Sequence, residues 1–161
     1  MIQNLQELYF SRLRDLYSLE NQLSAALPGL SRQVSDQSLS RLIRARLERG
    51  VRQLARIERL CARHLISPKG EDCVAMGGLI DEAGRHAAGS VPGEVRDALI
   101  LVSLLQFGQF EEAAYRVAEK FAASLDFGDD AGVLAESLAE KCCCQRAAAD
   151  FAEVDFSDDS G

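Results

Sequence analysis

The sequence predicts an all-α fold, a bundle of four long helices with one additional short helix. Three observations predict it. The 161-residue chain is 47% hydrophobic, rich in Ala and Leu, with three prolines and no tryptophan, a balance that favours helices over sheets. Apolar residues recur at helical spacing through successive stretches. Those stretches are separated by breaks that contain Pro or Gly.

The first helix runs from about Leu5 to Leu27. Tyr9, Leu13, Leu16, Glu20, Leu23 and Leu27 recur at alternating steps of four and three, which places them on one face. Pro28-Gly29 is read as its stop. The second helix starts near Ser35 or Asp36, either of which can cap free backbone N–H groups. Its inward side is read as Ile43, Leu47, Leu54, Ile57, Cys61 and Leu65. Around it lie Arg41, Arg44, Arg46, Arg49, Arg52, Arg56, Arg59 and Arg63, against only Glu48 and Glu58. Ser67-Pro68-Lys69-Gly70 ends it.

A short helix follows, from about Glu71 to Ala88, with Cys73, Met76, Leu79, Ile80 and Ala83 inward. Gly89-Ser90-Val91-Pro92-Gly93 is a turn. A long helix then spans about Glu94 to Leu125, with Leu101, Leu105, Gly108, Glu111, Tyr115, Ala118 and Ala122 on one face. Asp126-Phe127-Gly128-Asp129-Asp130 is the next break. The last helix, from about Ala131 to Glu153, carries the stripe Leu134, Leu138, Lys141, Gln145, Ala148 and Ala152.

The length suits one domain of ~150 residues, with residues 1–153 forming the bundle and residues 154–161 an acidic tail expected to be disordered. Net charge is −7, so the molecule is expected to be soluble and repelled by nucleic acid and anionic membrane. The N-terminal residues lack the pattern of a secretory signal, and no apolar run approaches the ~18 residues of a membrane span. Five cysteines, three of them contiguous, do not form a secreted disulfide framework. Reduced thiols and a cytoplasmic location are the expectation.

Helical bundles can hold two metal ions when two helices each supply a Glu and the other two each supply a Glu-x-x-His pair. The i, i+3 spacing sets both donors on one face, and carboxylate oxygens suit hard cations such as iron or manganese. Glu20 meets this requirement on the first helix and Glu111 on the long one. On the second helix Glu48 is followed at i+3 by Val51, which cannot ligate. Gly108, one turn before Glu111, offers no donor. On the last helix the stripe carries Lys141 and Gln145, and a lysine sets a positive charge where a cation would bind. The two histidines, His64 and His86, fall near helix ends.

Four segments carry a resemblance to a known family: Asp15-Leu16-Tyr17-Ser18-Leu19-Glu20-Asn21-Gln22-Leu23, Cys73-Val74-Ala75-Met76-Gly77-Gly78-Leu79-Ile80, Glu94-Val95-Arg96-Asp97-Ala98-Leu99-Ile100 and Glu111-Glu112-Ala113-Ala114-Tyr115. In this order and with these gaps, over roughly residues 3–150, the chain resembles the bacterial YciE/YciF-like stress proteins, a ferritin-like family. The resemblance implies a compact ferritin-like bundle, commonly dimeric, linked to stress responses and associated with a di-iron-type centre. The family's long helix typically carries a Glu-His-aromatic-Glu run, and here Gly108-Gln109-Phe110-Glu111 stands in its place. Its second helix has a Glu followed at i+3 by His or Glu, where this chain has Glu48 and Val51. Its last helix shows two adjacent Glu and an Asp four residues after the second, where this chain has Glu140, Lys141 and Gln145. Glu20, Glu48, Glu111 and Glu140 are therefore retained as family positions. Val51, Gly108, Gln109, Lys141 and Gln145 depart from the family and mark a degenerate site.

The expectation is a non-enzymatic ferritin-like bundle with no catalytic residue and no cofactor, acting as a homodimeric structural or interaction protein. Phe10, Leu60, Phe107 and Phe121, outside the central stripe, are expected to supply dimer surface. One alternative is a protein holding iron or manganese in a histidine-free site of Glu20, Glu48, Glu111 and Glu140. Another is thiol redox chemistry at Cys142, Cys143 and Cys144, although contiguous helical side chains point ~100° apart and do not converge. For the arginine-rich helix, a solvated face or pairing with carboxylates of another helix or subunit is expected. At the centre, Lys141 is expected to replace the metal charge by pairing with Glu20, or failing that with Glu48 or Glu111.

Overall fold

The structure, a computed structural model, describes residues 1–155. Five helices follow one another: α1 (Leu5–Ser31), α2 (Gln37–Arg63), α3 (Val74–Ala88), α4 (Glu94–Ser124) and α5 (Gly128–Asp155). Among the described residues there is no strand. No helix among them is long and apolar enough to cross a membrane. Of the tail expected at residues 154–161, the backbone of 154 and 155 continues α5. The remainder of that tail lies outside the described residues.

Cross-helix bonds fix the topology. Asp97 of α4 receives the backbone N–H groups of Ser35 and Asp36 at 2.9 and 2.8 Å, which sets the start of α4 beside the turn between α1 and α2. Glu20 meets Tyr115 midway along α1 and α4, so those two helices run antiparallel. Arg63 reaches Asp130 while Arg56 reaches Glu140, so α2 and α5 are antiparallel as well. The order is up, down, down, up, and the crossover containing α3 travels the length of the bundle, one of the connections found in ferritin-like bundles.

Helix ends correct several sequence expectations. Pro28 does not stop α1, which continues to Ser31. Proline there forgoes one intrahelical bond, but the extra turn buries Leu30. Residues 71–73 precede α3 rather than begin it, because the Cys73 N–H donates to Ser18 Oγ at 2.9 Å and its carbonyl accepts from Gln22 Nε2 at 3.2 Å. Cys73 is half-buried, as are Leu79 and Ile80. At the end of α2 the chain turns left-handed at Leu65 (φ 56°), and the Ile66 N–H bonds the Cys61 carbonyl. This is a Schellman closure. It throws Leu65 into solvent and tucks Ile66 against the core in its place. Asp126 (φ 58°) and Phe127 close α4 in the same way, and α5 then starts at Gly128 rather than Ala131.

These two closures meet at one end of the bundle. The ring centroids of His64 and Phe127 lie 4.6 Å apart. Asp130, in the first turn of α5, is buried and accepts from Tyr9 Oη at 2.8 Å; His64 Nε2 lies 2.6 Å away and Arg63 Nη1 3.1 Å. Burial, reinforced by Asp130, pushes the Tyr9 phenol far above its ordinary range. A buried carboxylate with three partners ties α1, α2 and α5 together. Tyr9→Phe removes one of them without changing shape, and should lower stability by about 1–2 kcal/mol. A urea melt would show a reduced midpoint at unchanged m-value.

Candidate bundle-centre polar site

The inner stripes of α1, α4 and α5 converge in the middle of the bundle and deliver polar side chains there. Glu20, Glu111 and Lys141 are all buried. Lys141 Nζ lies 2.5 Å from Glu20 Oε1 and 2.6 Å from Glu111 Oε1. Tyr115 Oη donates to Glu20 Oε1 at 2.7 Å. Arg46, on α2, donates to the second Glu111 oxygen and, at 2.8 Å, to the Leu104 carbonyl. Two carboxylates and two cations thus form a closed, charge-balanced group.

The electrostatics follow from that balance. Burial pushes the Glu20 carboxyl up, with Lys141 pulling against it and Glu111 adding to it. Burial acts the same way on Glu111, but Arg46 and Lys141 outweigh it and hold this carboxyl below its usual range. For Lys141, burial favours the neutral amine, yet Glu20 and Glu111 prevail and hold its pKa above the ordinary lysine value. Burial and then Glu20 push the Tyr115 phenol well up.

The stripe on α2 differs from the expected one. Its buried positions include Ile43, Arg46, Gly50, Gln53 and Ile57, again at steps of three and four. Glu48 and Val51 lie on the exposed face, 62% exposed in the case of Val51, so neither belongs to the centre. The inward i, i+3 pair of α2 is Gly50 and Gln53. A Cβ at Gly50 would sit 3.7 Å from Glu20 Oε2, so this glycine occupies the place of a possible donor. Gln53 instead donates to Glu140 at 2.8 Å, and half-buried Glu140 also accepts from Arg56 at 2.9 Å. Gly108 faces inward as expected, and a Cβ there would collide with Gln145 Oε1. Gln145, which donates to the Leu105 carbonyl at 2.8 Å, therefore fills the space that a side chain at 108 would need. Gln109 is exposed.

The three contiguous thiols diverge. Cys142 is pushed up by burial and by Glu112, Cys143 is exposed, and Cys144 touches the Arg49 guanidinium. Cys61 is buried, its thiol pushed up to about 11 chiefly by that burial.

These residues do not fit a dinuclear metal centre. Among the described residues, no group of three or more His, Cys, Asp and Glu side chains is arranged to hold a metal ion, and an ammonium group stands between the two buried carboxylates. A cavity beside the centre, bordered by Arg49, Lys141 and Cys144, measures about 10 Å³. That is room for one water at most, not for a substrate. The sequence missed Arg46, Gly50 and Gln53. The signal for them was the unbroken three-four spacing from Ile43 to Ile57, which the flanking Leu47 and Leu54 obscured.

Residues 4–155 match the family described as a domain of unknown function, DUF892. Protein YciF of Escherichia coli (strain K12) is 32% identical over 141 residues, covering 87% of this chain and 85% of that protein. The crystal structure of the E. coli stress protein YciF matches with a TM-score of 0.90 at 31% identity, over 94% of this chain and 96% of that one. YcfI from Rhodopseudomonas palustris, provisionally described as a structural protein, matches with a TM-score of 0.88 at 28% identity, over 91% and 94%.

Among the described residues Lys141 is the only cation bonded to Glu20, whereas Glu111 also has Arg46. Lys141→Met should therefore strand Glu20 and cost about 3–5 kcal/mol, and adding Glu20→Gln should recover much of that loss in denaturant melts. Strict additivity would count against the pairing. The raised pKa of Lys141 gives the pH sign. Its contribution is complete below the unfolded lysine value of about 10.4 and is lost as pH rises through the higher folded value. Thermal melts above that pH should destabilise the native protein more than the double variant.

Proposed function

Because the chain belongs to the DUF892 family, with YciF among its relatives, we propose that it is a non-enzymatic, ferritin-like bundle of the bacterial cytoplasm with a structural or interaction role. The observation that carries this reading is the Lys141 ammonium bonded to both Glu20 and Glu111. A fixed positive charge there opposes a divalent cation by direct repulsion. The other inward positions supply glycine, glutamine and a guanidinium rather than imidazole and carboxylate. A stress-related role is proposed from the likeness to the E. coli protein, which is described as a stress protein.

The reading extends to a homodimer, on revised grounds. Leu60 and Phe107 are buried in the core of a single chain and supply no interface, whereas Phe10 and Phe121 are half-buried against that core. The outer face of α4 does carry exposed Val95, Val102 and Val117, with Val74 exposed at the start of α3. Small apolar residues along one helix face offer surface that a second copy would cover.

Anaerobic loading with ferrous iron or manganese, followed by elemental analysis, tests the central part of this reading. Substoichiometric metal is expected. Two iron ions per chain with a burst of oxygen consumption would reverse it in favour of a carboxylate metal centre. Light scattering is expected to give the dimer mass across micromolar concentrations, with an interface of about 1,600 Å² in total. A monomer mass throughout that range would remove the dimer from the account.

A further inference from the structure

A second feature of the molecule lies away from the bundle centre and does not depend on whether metal binds there. The eight arginines and two glutamates of α2 give that helix a formal charge of +6. The whole chain carries −7, so everything outside α2 carries −13. Not all of the arginines are engaged internally. Arg46 enters the centre, Arg56 binds Glu136 and Glu140, and Arg63 reaches Asp130. Arg41, Arg44, Arg52 and Arg59 are exposed and make no salt bridge among the described residues.

Their spacing places them together. At 100° per residue, Arg41, Arg44, Arg52 and Arg59 fall within one quadrant, opposite the buried line of Ile43, Gly50 and Ile57. With Arg63 at the end, the row is about 33 Å long at 1.5 Å per residue. Ala55 and Ala62 share this quadrant, so small side chains form a floor between the guanidinium groups. Glu48 is the one carboxylate within it. The face is a basic ridge with shallow apolar gaps on an otherwise acidic molecule.

We propose that this outer face of α2 is a docking surface for an acidic segment of another protein, a helix or extended stretch whose carboxylates match the arginine row. Charge complementarity points to a carboxylate-bearing partner, and guanidinium groups bind carboxylates in fork geometry. The extent of the patch selects protein over nucleic acid. A duplex bears one charge per ~1.7 Å on a long axis, and would extend beyond the ridge towards a remainder of the chain whose net charge is −13. A short acidic segment need cover only the ridge, and the alanine floor lets its side chains pack between the arginines. A two-fold contact of α2 against α2 of a second copy sets arginine against arginine, which excludes that arrangement.

The test uses the full chain and a fluorescein-labelled helical peptide bearing Glu along one face, read by anisotropy at physiological ionic strength. Binding is expected, weakening with added salt. The combined variant Arg41→Gln, Arg44→Gln, Arg52→Gln and Arg59→Gln should lose at least about tenfold in affinity, the factor that 1.4 kcal/mol represents, while its circular dichroism and melt stay native. Lysines at the same four positions should restore most of the binding, which separates charge from folding damage. No binding, or equal binding by the Gln variant, overturns the proposal. So does tighter binding to a short DNA duplex or to phosphatidylserine vesicles than to the peptide. Binding that appears only after deletion of residues 156–161 also overturns it, since the face would then belong to the chain's own acidic end.

Discussion

Two carboxylates almost wholly removed from solvent sit in the middle of this bundle, and the requirement that they be neutralised governs everything around them. An unpaired buried charge costs several kcal/mol after relaxation. Glu20 and Glu111 are each 1% exposed and belong to different helices. Lys141 answers both from α5, and Arg46 answers Glu111 from α2. All four long helices are thereby committed to one register, because sliding any of them by a turn would separate a charge from its partner. Apolar packing alone tolerates such slips more readily.

The surrounding residues make sense as accommodation of that group. Gly50 leaves space next to Glu20, and Gly108 leaves space for Gln145 to reach the Leu105 carbonyl. Tyr115 supplies the additional donor that Glu20 needs. Where a dinuclear centre would use cations to relieve repulsion among carboxylates, this chain has fewer inward carboxylates and carries the cations on its own side chains. The second polar cluster, Tyr9, His64 and Arg63 around Asp130, performs the same neutralisation at the end of the bundle. There it locks the closures of α2 and α4 rather than the middle.

Much of this was legible in the sequence, for a physical reason that also explains what was not. On α1, α4 and α5 the stripes read from the sequence are uncharged except at Glu20, Glu111 and Lys141, so a charged residue in a regular three-four spacing stood out. On α2 the inner stripe itself contains Arg46, Gly50 and Gln53. None of these reads as buried, and the partly buried Leu47 and Leu54 drew the register towards Glu48 and Val51, which face water. Arg46 was hidden as one arginine among eight. Pro28 misled because a proline near a helix end can be carried when the following turn buries a leucine. Asp130 looked like part of a polar break. Its partner Tyr9 lies 121 residues away in sequence, and no local pattern announces a contact at that range.

If the Lys141 ammonium holds the position a metal would otherwise take, nitrogen NMR of the lysine side chains will reveal it. The chain contains only three lysines, Lys69, Lys120 and Lys141, so the spectrum is readily assigned by substitution. One slowly exchanging ammonium signal, from Lys141, is expected to keep its proton above the ordinary lysine range and to resist broadening by stoichiometric manganese. A Lys141 signal that exchanges as fast as those of Lys69 and Lys120, or that is broadened away by one equivalent of manganese, would contradict it.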